Sequence, residues 1–190
     1  MMPRLKQQYR EQVCEKLKAD FGIANPMALP KLEKIMITVG LGKQLEGTKV
    51  NANAKEQVLK DLALITGQKP VMKKARKSVA NFKLRAGYEV GAMVTLRGDR
   101  MWEFLDRLIN LAIPRIKDFR GLKTTSFDGR GSYSFGITEQ GIFPEVDMAN
   151  AKFTHGMNIN LVFTNSTDQI SKAALTELGL PFVKQDAKNN

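Results

Sequence analysis

Cysteine and histidine are almost missing from this 190-residue chain: Cys14 and His155 stand alone. A single cysteine excludes an intramolecular disulfide and fits a reducing compartment. Most structural zinc sites take four Cys or His ligands, so a Cys/His zinc centre is excluded and no metal or other cofactor is expected. Long apolar runs are missing too. No stretch approaches the ~18 to 20 apolar residues that span a bilayer, and charges break up Met1–Asp20 too often for a secretory signal. The expectation is a soluble, cytoplasmic protein.

Acid is the scarcer charge. Nineteen Asp and Glu face thirty Lys and Arg, a formal net charge of +11. So large an excess in a small domain points to a polyanionic partner, nucleic acid or an anionic membrane surface. At 43% hydrophobic and 26% charged residues the chain can still build a packed core.

The pattern of elements is mixed. Leu5, Tyr9, Val13, Leu17 and Phe21 make one apolar stripe ended by Gly22, predicting a first helix. Ile35–Val39 reads as a strand, about Asn53–Thr66 as a helix stopped by Gly67, and Val90–Leu96 as a strand. Asp99 is the expected N-cap of a helix running to about Ile113, before Pro114. Asp128-Gly129-Arg130-Gly131 signals a turn, with Tyr133, Phe135 and Ile137 alternating after it; Met157, Ile159, Leu161 and Phe163 alternate again. Ser166 with Gln169 predicts a capping box opening a last helix that stops at Gly179 and Pro181. Without regular βαβ alternation, the fold class is α+β with a largely antiparallel sheet. One domain is expected over 1–184, followed by a polar tail at 185–190.

Charge placement is the strongest local signal. From Gln68 to Tyr88 the chain carries Lys69, Lys73, Lys74, Arg76, Lys77, Lys83 and Arg85 and no acid. Phe82 and Tyr88 are interleaved with hydrogen-bonding Gln68, Ser78 and Asn81. Cations neutralise phosphates and aromatic faces stack on unpaired bases, so this mixture suits RNA; the plainer alternative is a solvated basic loop with its rings tucked into the core. A membrane-surface role would need these cations on an amphipathic helix, which Pro70 and Gly87 argue against.

Catalytic signals are weak. Gly40-Leu41-Gly42 lacks the third glycine of a dinucleotide loop, with Leu45 in its place, and Thr48-Lys49 reverses the order of a phosphate-binding loop. A nucleotide-binding enzyme using Gly42–Lys49 remains the competing class, and saturable ATP or GTP binding separates it from the RNA reading. Asp99, Glu103 and Asp106 could form an acid/base pair, but pairing with Arg100 and Arg107 at helical spacing explains them more simply. No small-molecule substrate is expected.

Seven collinear strings carry a resemblance. They are Gly67-Gln68-Lys69-Pro70, Ala75-Arg76-Lys77-Ser78-Val79-Ala80, Val94-Thr95-Leu96-Arg97-Gly98, Arg100-Met101-Trp102-Glu103-Phe104, Pro114–Leu122, Ser126–Gly131, and Ile142-Phe143-Pro144-Glu145. Together they resemble the bacterial family of large ribosomal subunit protein number five, from about Leu5 to Phe182. The resemblance implies a structural role without catalysis, helices packed on one face of the sheet and an exposed side facing RNA. Its implied partners are 5S ribosomal RNA, large-subunit ribosomal RNA, peptidyl-site transfer RNA, and small-subunit ribosomal protein number thirteen across an intersubunit bridge. By motif position it implies 5S RNA contacts at Thr38, Gln68, Lys69, Phe82, Thr95 and Arg97. Lys73, Lys74, Arg76, Lys77, Ser78, Asn81, Lys83 and Arg85 fall in the loop facing transfer RNA, and Arg115, Lys117, Asp118, Arg120 and Gln140 at the bridge. Two positions depart from the family pattern. Thr38 stands in place of Asn, and its hydroxyl cannot make a two-pronged amide contact. Lys73 stands where a hydroxyl residue is common.

Overall fold

A computed structural model describes residues 2–46 and 49–183. The polar tail expected at 185–190 lies outside the described residues, as do Gly47 and Thr48 of the glycine-rich turn.

The first stripe folds as one continuous helical rod: α1 (Arg4–Gln8), a π turn (Tyr9–Val13) and α2 (Cys14–Phe21). Leu5, Tyr9, Val13 and Leu17 are buried, and Gly22 ends the rod at φ 63°, a conformation glycine adopts without a Cβ clash. Phe21 is a correction: it is 37% exposed, off the stripe. A four-residue period outruns the 3.6-residue turn by about 40° per step; the wider π turn absorbs this drift as far as Val13, and α2 restores it.

Strand β1 (Lys31–Gly40) is longer than the expected Ile35–Val39, because it is a central strand with neighbours on both sides despite its charged start. After the short pair β2 (Leu45–Glu46) and β3 (Lys49–Val50) comes α3 (Ala52–Thr66). The Asn51 side chain caps α3 by accepting from the Asn53 and Ala54 amides, and Gly67 closes it at φ 64°. Strand β4 (Val71–Lys74) lies inside what reads as a basic loop; it pairs antiparallel with β5 (Glu89–Leu96). Helix α4 (Gly98–Arg107) runs on through a π turn (Leu108–Ala112) to a 3-10 turn containing Pro114. Strands β6 (Tyr133–Ile137) and β7 (Met157–Thr164) and helix α5 (Asp168–Glu177) complete the order. The main sheet is antiparallel with order β4-β5-β1-β7-β6. Strand β5 therefore sits between β1 and β4, the two strands that α3 connects, a split βαβ arrangement. The expected α+β class holds.

The chain forms two compact units. The first draws on residues 1–35, 97–135 and 160–190. Here α1 meets α4, with the Tyr9 and Trp102 rings 5.3 Å apart. Two expectations fail in this unit. Asp99 is no cap: the N-cap is Arg97, without a side-chain bond, and the Asp99 carboxylate sits 2.6 Å from Lys6 Nζ. Asp106 likewise pairs with Arg4 at 2.6 Å, so these acids find cations on α1 rather than along their own helix. Ser166 is not a cap either. Thr167 holds that position, and the Ser166 hydroxyl meets Ser171 Oγ at 2.7 Å. The turn at Asp128 is as expected and doubly fastened. Asp128 accepts from the Arg130 and Ser132 amides, and Asp168 from those of Gly129 and Gly131. Desolvation pulls the Asp128 pKa up, but those amide bonds outweigh it and hold the carboxyl below its usual range.

The second unit draws on residues 36–96 and 136–159. Helix α3 lays Val58, Leu62 and Ile65, all fully buried, on the face of β5 that carries Ala92, Val94 and Leu96. Each such side chain stabilises the unit by about 1.5–3 kcal/mol. The alternate residues of the strands, Met36, Thr38, Met93 and Thr95, stay half-buried on the side away from α3.

Candidate nucleic-acid interface

Strands β4 and β5 extend into a finger, residues 75–88. Register fixes its base: Val71 faces Met93 and Lys73 faces Gly91, and a bulge between Lys73 and Lys74 puts Lys74 opposite Glu89. Beyond the bulge the Ala75 amide donates to Tyr88 O and Gly87 to Ala75 O. Val79 and Leu84 exchange backbone bonds of 2.9 and 3.1 Å, and the Lys83 amide returns to Ala80 O to close the tip. Lys83 adopts φ 53°, a strained choice for a lysine that the tip turn requires.

Lys69, Lys73, Lys74, Arg76, Lys77, Lys83 and Arg85 are all exposed, and none forms an ion pair with the described residues. Glu89, opposite Lys74, holds Lys55 on α3 at 2.6 Å. Arg4, Lys6 and Lys16, by contrast, each have a carboxylate within 2.6 Å. Phe82 is 70% exposed at the tip, so the alternative in which its ring joins the core does not hold. Asn81 is exposed beside it. The Ser78 hydroxyl faces inward across the finger and accepts from the Ala86 amide at 3.0 Å.

At the foot of the finger the fold brings Gln68 and Thr95 together: Gln68 Nε2 donates to Thr95 O at 3.3 Å. Gln68 is steered there by Gly67 and by the Thr66 hydroxyl, which accepts from the Gln68 amide. Thr38 lies half-buried on β1, the strand next to β5. Gly91 keeps these strands close, since a Cβ there would stand 2.6 Å from Val39 O. Arg97, in the first unit, is exposed but not free: Glu33 Oε1 lies 3.1 Å from its guanidinium. Arg97 first and Lys34 second hold the Glu33 carboxyl below its usual range.

In the first unit Arg115, Lys117, Asp118 and Arg120 are exposed on one segment. Asp118 has φ 52°, and Gly121 at φ 106° packs so tightly that a Cβ would stand 2.7 Å from the Val183 amide nitrogen. Gln140, in the second unit, needs correction as an exposed contact residue. It is fully buried, donates to Phe153 O at 3.0 Å and accepts from the His155 amide at 2.7 Å. Its side chain holds residues 140–155 together and offers nothing outward.

Sequence reasoning missed the partner of His155. The imidazole Nε2 lies 3.1 Å from Asp61 Oδ2 on α3, with side-chain exposures of 5% and 9%. A lone histidine beside a lone buried aspartate on an apolar helix face was the available signal. Next to this pair is a cleft of ≈ 360 Å³ whose lining includes Asn53, Lys60, Asp61, Glu145 and Asp147. Among the described residues no three Cys, His, Asp or Glu converge as metal ligands, and no helix is long and apolar enough to cross a membrane.

Residues 25–85 match the family model for ribosomal protein L5, and residues 89–182 match that for the C-terminus of the ribosomal L5P family. The chain belongs to the ribosomal protein L5 family. Among relatives, the large ribosomal subunit protein uL5 of Cutibacterium acnes is 51% identical over 185 residues, 97% of this chain and 86% of the relative. That of Streptomyces coelicolor is 51% identical over 180 residues, 95% of each chain. That of Anaeromyxobacter sp. is 49% identical over 182 residues, 96% of this chain and 99% of the relative. Membership decides the protein's class: L5 proteins are structural ribosomal proteins, not enzymes. The glycine-rich turn and the helical acids therefore need no catalytic account.

Proposed function

We propose that this chain is a structural component of the large ribosomal subunit, in the cytoplasm, that binds 5S ribosomal RNA and attaches it to large-subunit RNA in the central protuberance. One observation carries the reading: seven exposed cations on and beside a preformed finger that has no acid of its own, none neutralised by the described residues. Cations of the finger fix position on phosphates, while Gln68, Thr95, Thr38 and Phe82 meet bases and sugars that a folded RNA splays out. Lys73 to Arg85 also reach peptidyl-site transfer RNA. The segment 114–122, with the stretch around residue 140, faces small-subunit protein number thirteen. Because the Gln140 side chain is internal, exposed neighbours such as Glu139 make that contact.

A competition gel shift at near-physiological salt tests the reading, with labelled 5S ribosomal RNA challenged by transfer RNA and random duplex DNA. Retention of 5S RNA against excess of both supports a specific architectural site. Equal competition by all three reduces the finding to nonspecific charge.

A further inference from the structure

We propose that Ser78 is a positioning residue, whose hydroxyl braces the basic finger so that its cations are in place before RNA arrives. The inference rests on the RNA-binding reading above. Residue type alone makes Ser78 a candidate hydrogen-bond partner for RNA; the geometry gives its oxygen a prior duty. It accepts the Ala86 amide at 3.0 Å, a bond between the two arms of the finger across eight residues.

Its location makes the brace matter. Towards the tip the arms are joined by the Val79–Leu84 backbone pair, and at the base by the bonds of Ala75 with Gly87 and Tyr88. Between these rungs the main chains exchange no hydrogen bond among the described residues, and Ser78 Oγ supplies the missing acceptor. Such a side-chain bond to backbone lets a serine stand in for a rung of the ladder. Arg76, Lys77 and Arg85 sit in the part it spans, three of the cations assigned to RNA. A finger held in its bound shape loses less freedom on binding, so preorganisation raises affinity without adding a contact.

Removing the brace and removing charge leave different signatures. Each cation on a phosphate contributes about 0.7 to 0.9 to the slope of log affinity against log salt. A neutral brace contributes nothing to that slope, and its loss weakens binding equally at every salt concentration.

The test uses the full chain with 5S ribosomal RNA across a salt series, plus amide exchange in the free protein. Ser78→Ala is expected to weaken binding by about threefold to tenfold, one hydrogen bond's worth, with unchanged slope. The Ala86 amide then exchanges faster while the melting temperature stays put, since Ser78 is exposed. Ser78→Thr, which keeps the hydroxyl, restores both readouts. Wild-type affinity in Ser78→Ala, or weaker binding with Ala86 exchange unchanged, overturns the positioning role; the second result makes Ser78 a direct contact. Replacing Lys73, Lys74, Arg76 and Lys77 together by Ala is the companion arm. If that variant keeps the wild-type slope the RNA reading itself fails, whereas a lowered slope beside an unaltered Ser78→Ala sinks this inference alone.

Discussion

Two irregular connections in the second unit, residues 75–88 and 138–156, handle the same problem in opposite ways. A chain outside helices and strands must still satisfy its amides and carbonyls. The finger does so largely with its own main chain and Ser78, leaving Arg76, Lys77, Phe82, Lys83 and Arg85 pointed at solvent. The second connection does so with inward side chains. Gln140 ties Phe153 to His155, Gln57 takes the Lys152 amide and donates to Phe153 O, and His155 meets Asp61. Side chains used to hold a loop are not available to a partner. The first connection therefore leaves its cations and ring free for a partner, and the second spends its side chains on support.

Charge removal from the finger breaks the comparison most sharply. With Lys73, Lys74, Arg76 and Lys77 all changed to Ala, the salt slope of 5S RNA binding should fall by roughly 3 units if each meets one phosphate. All four are exposed, so stability should move by no more than about 0.5 kcal/mol per site. Denaturant melts and a salt series on the same protein check both halves. A slope that does not change would place the finger against something other than RNA in the binary complex.

The opposite signature is expected from the supporting connection. His155→Ala leaves the buried Asp61 side chain without its hydrogen-bond partner and should cost up to about 3 kcal/mol of stability. At that upper figure a chain of this size melts roughly 6–12 °C lower. The salt slope of the folded fraction should stay at the wild-type value. A variant that melts normally would show the pair to be dispensable.

Phe82→Ala comes next in size. Loss of one base stack weakens RNA binding by about 1–3 kcal/mol. A ring that is 70% exposed leaves little burial to lose, so the melting temperature should hold. Equal losses of binding and stability would mean that the ring packs against protein after all.

The contrast also explains what the sequence made legible. Elements with a local signal were found nearly to the residue: the α3 stripe of Val58, Leu62 and Ile65 stopped by Gly67, and the alternation of Met157 to Phe163. The basic finger was legible because seven cations without an acid need no third dimension to be noticed. What escaped depends on partners distant in sequence. Strand β4 exists because β5 pairs with it, and Lys73-Lys74 gave no β signal. Asp99 and Asp106 look like cap and helix partners until α1 brings Lys6 and Arg4 to them. Gln140 was assigned outward by its motif, yet its amide is turned in by Phe153 and His155, more than ten residues away. The family strings single out the finger, but a string cannot separate residues that hold a loop, such as Ser78, from those left exposed, such as Phe82.

The smallest expected effect sharpens the comparison at its margin, where Arg97 belongs to neither pattern. It is exposed like the finger cations but neutralised by Glu33 at 3.1 Å. Glu33→Gln frees the guanidinium. If Arg97 meets a phosphate, the salt slope should then rise by up to one contact, about 0.7 to 0.9. Acid should do the same to the wild type, at a pH set by the direction of the Glu33 shift. Because Arg97 and Lys34 lower that pKa, the ion pair is at full strength above the ordinary glutamate value, about 4.3. It is lost only as pH falls through the lower folded value, so the slope should be flat from pH 7 to pH 5 in both proteins. A Glu33→Gln slope identical to wild type would remove Arg97 from the RNA contacts and leave its pairing with Glu33 as a feature of the fold, with recognition confined to the cations that form no ion pair with the described residues.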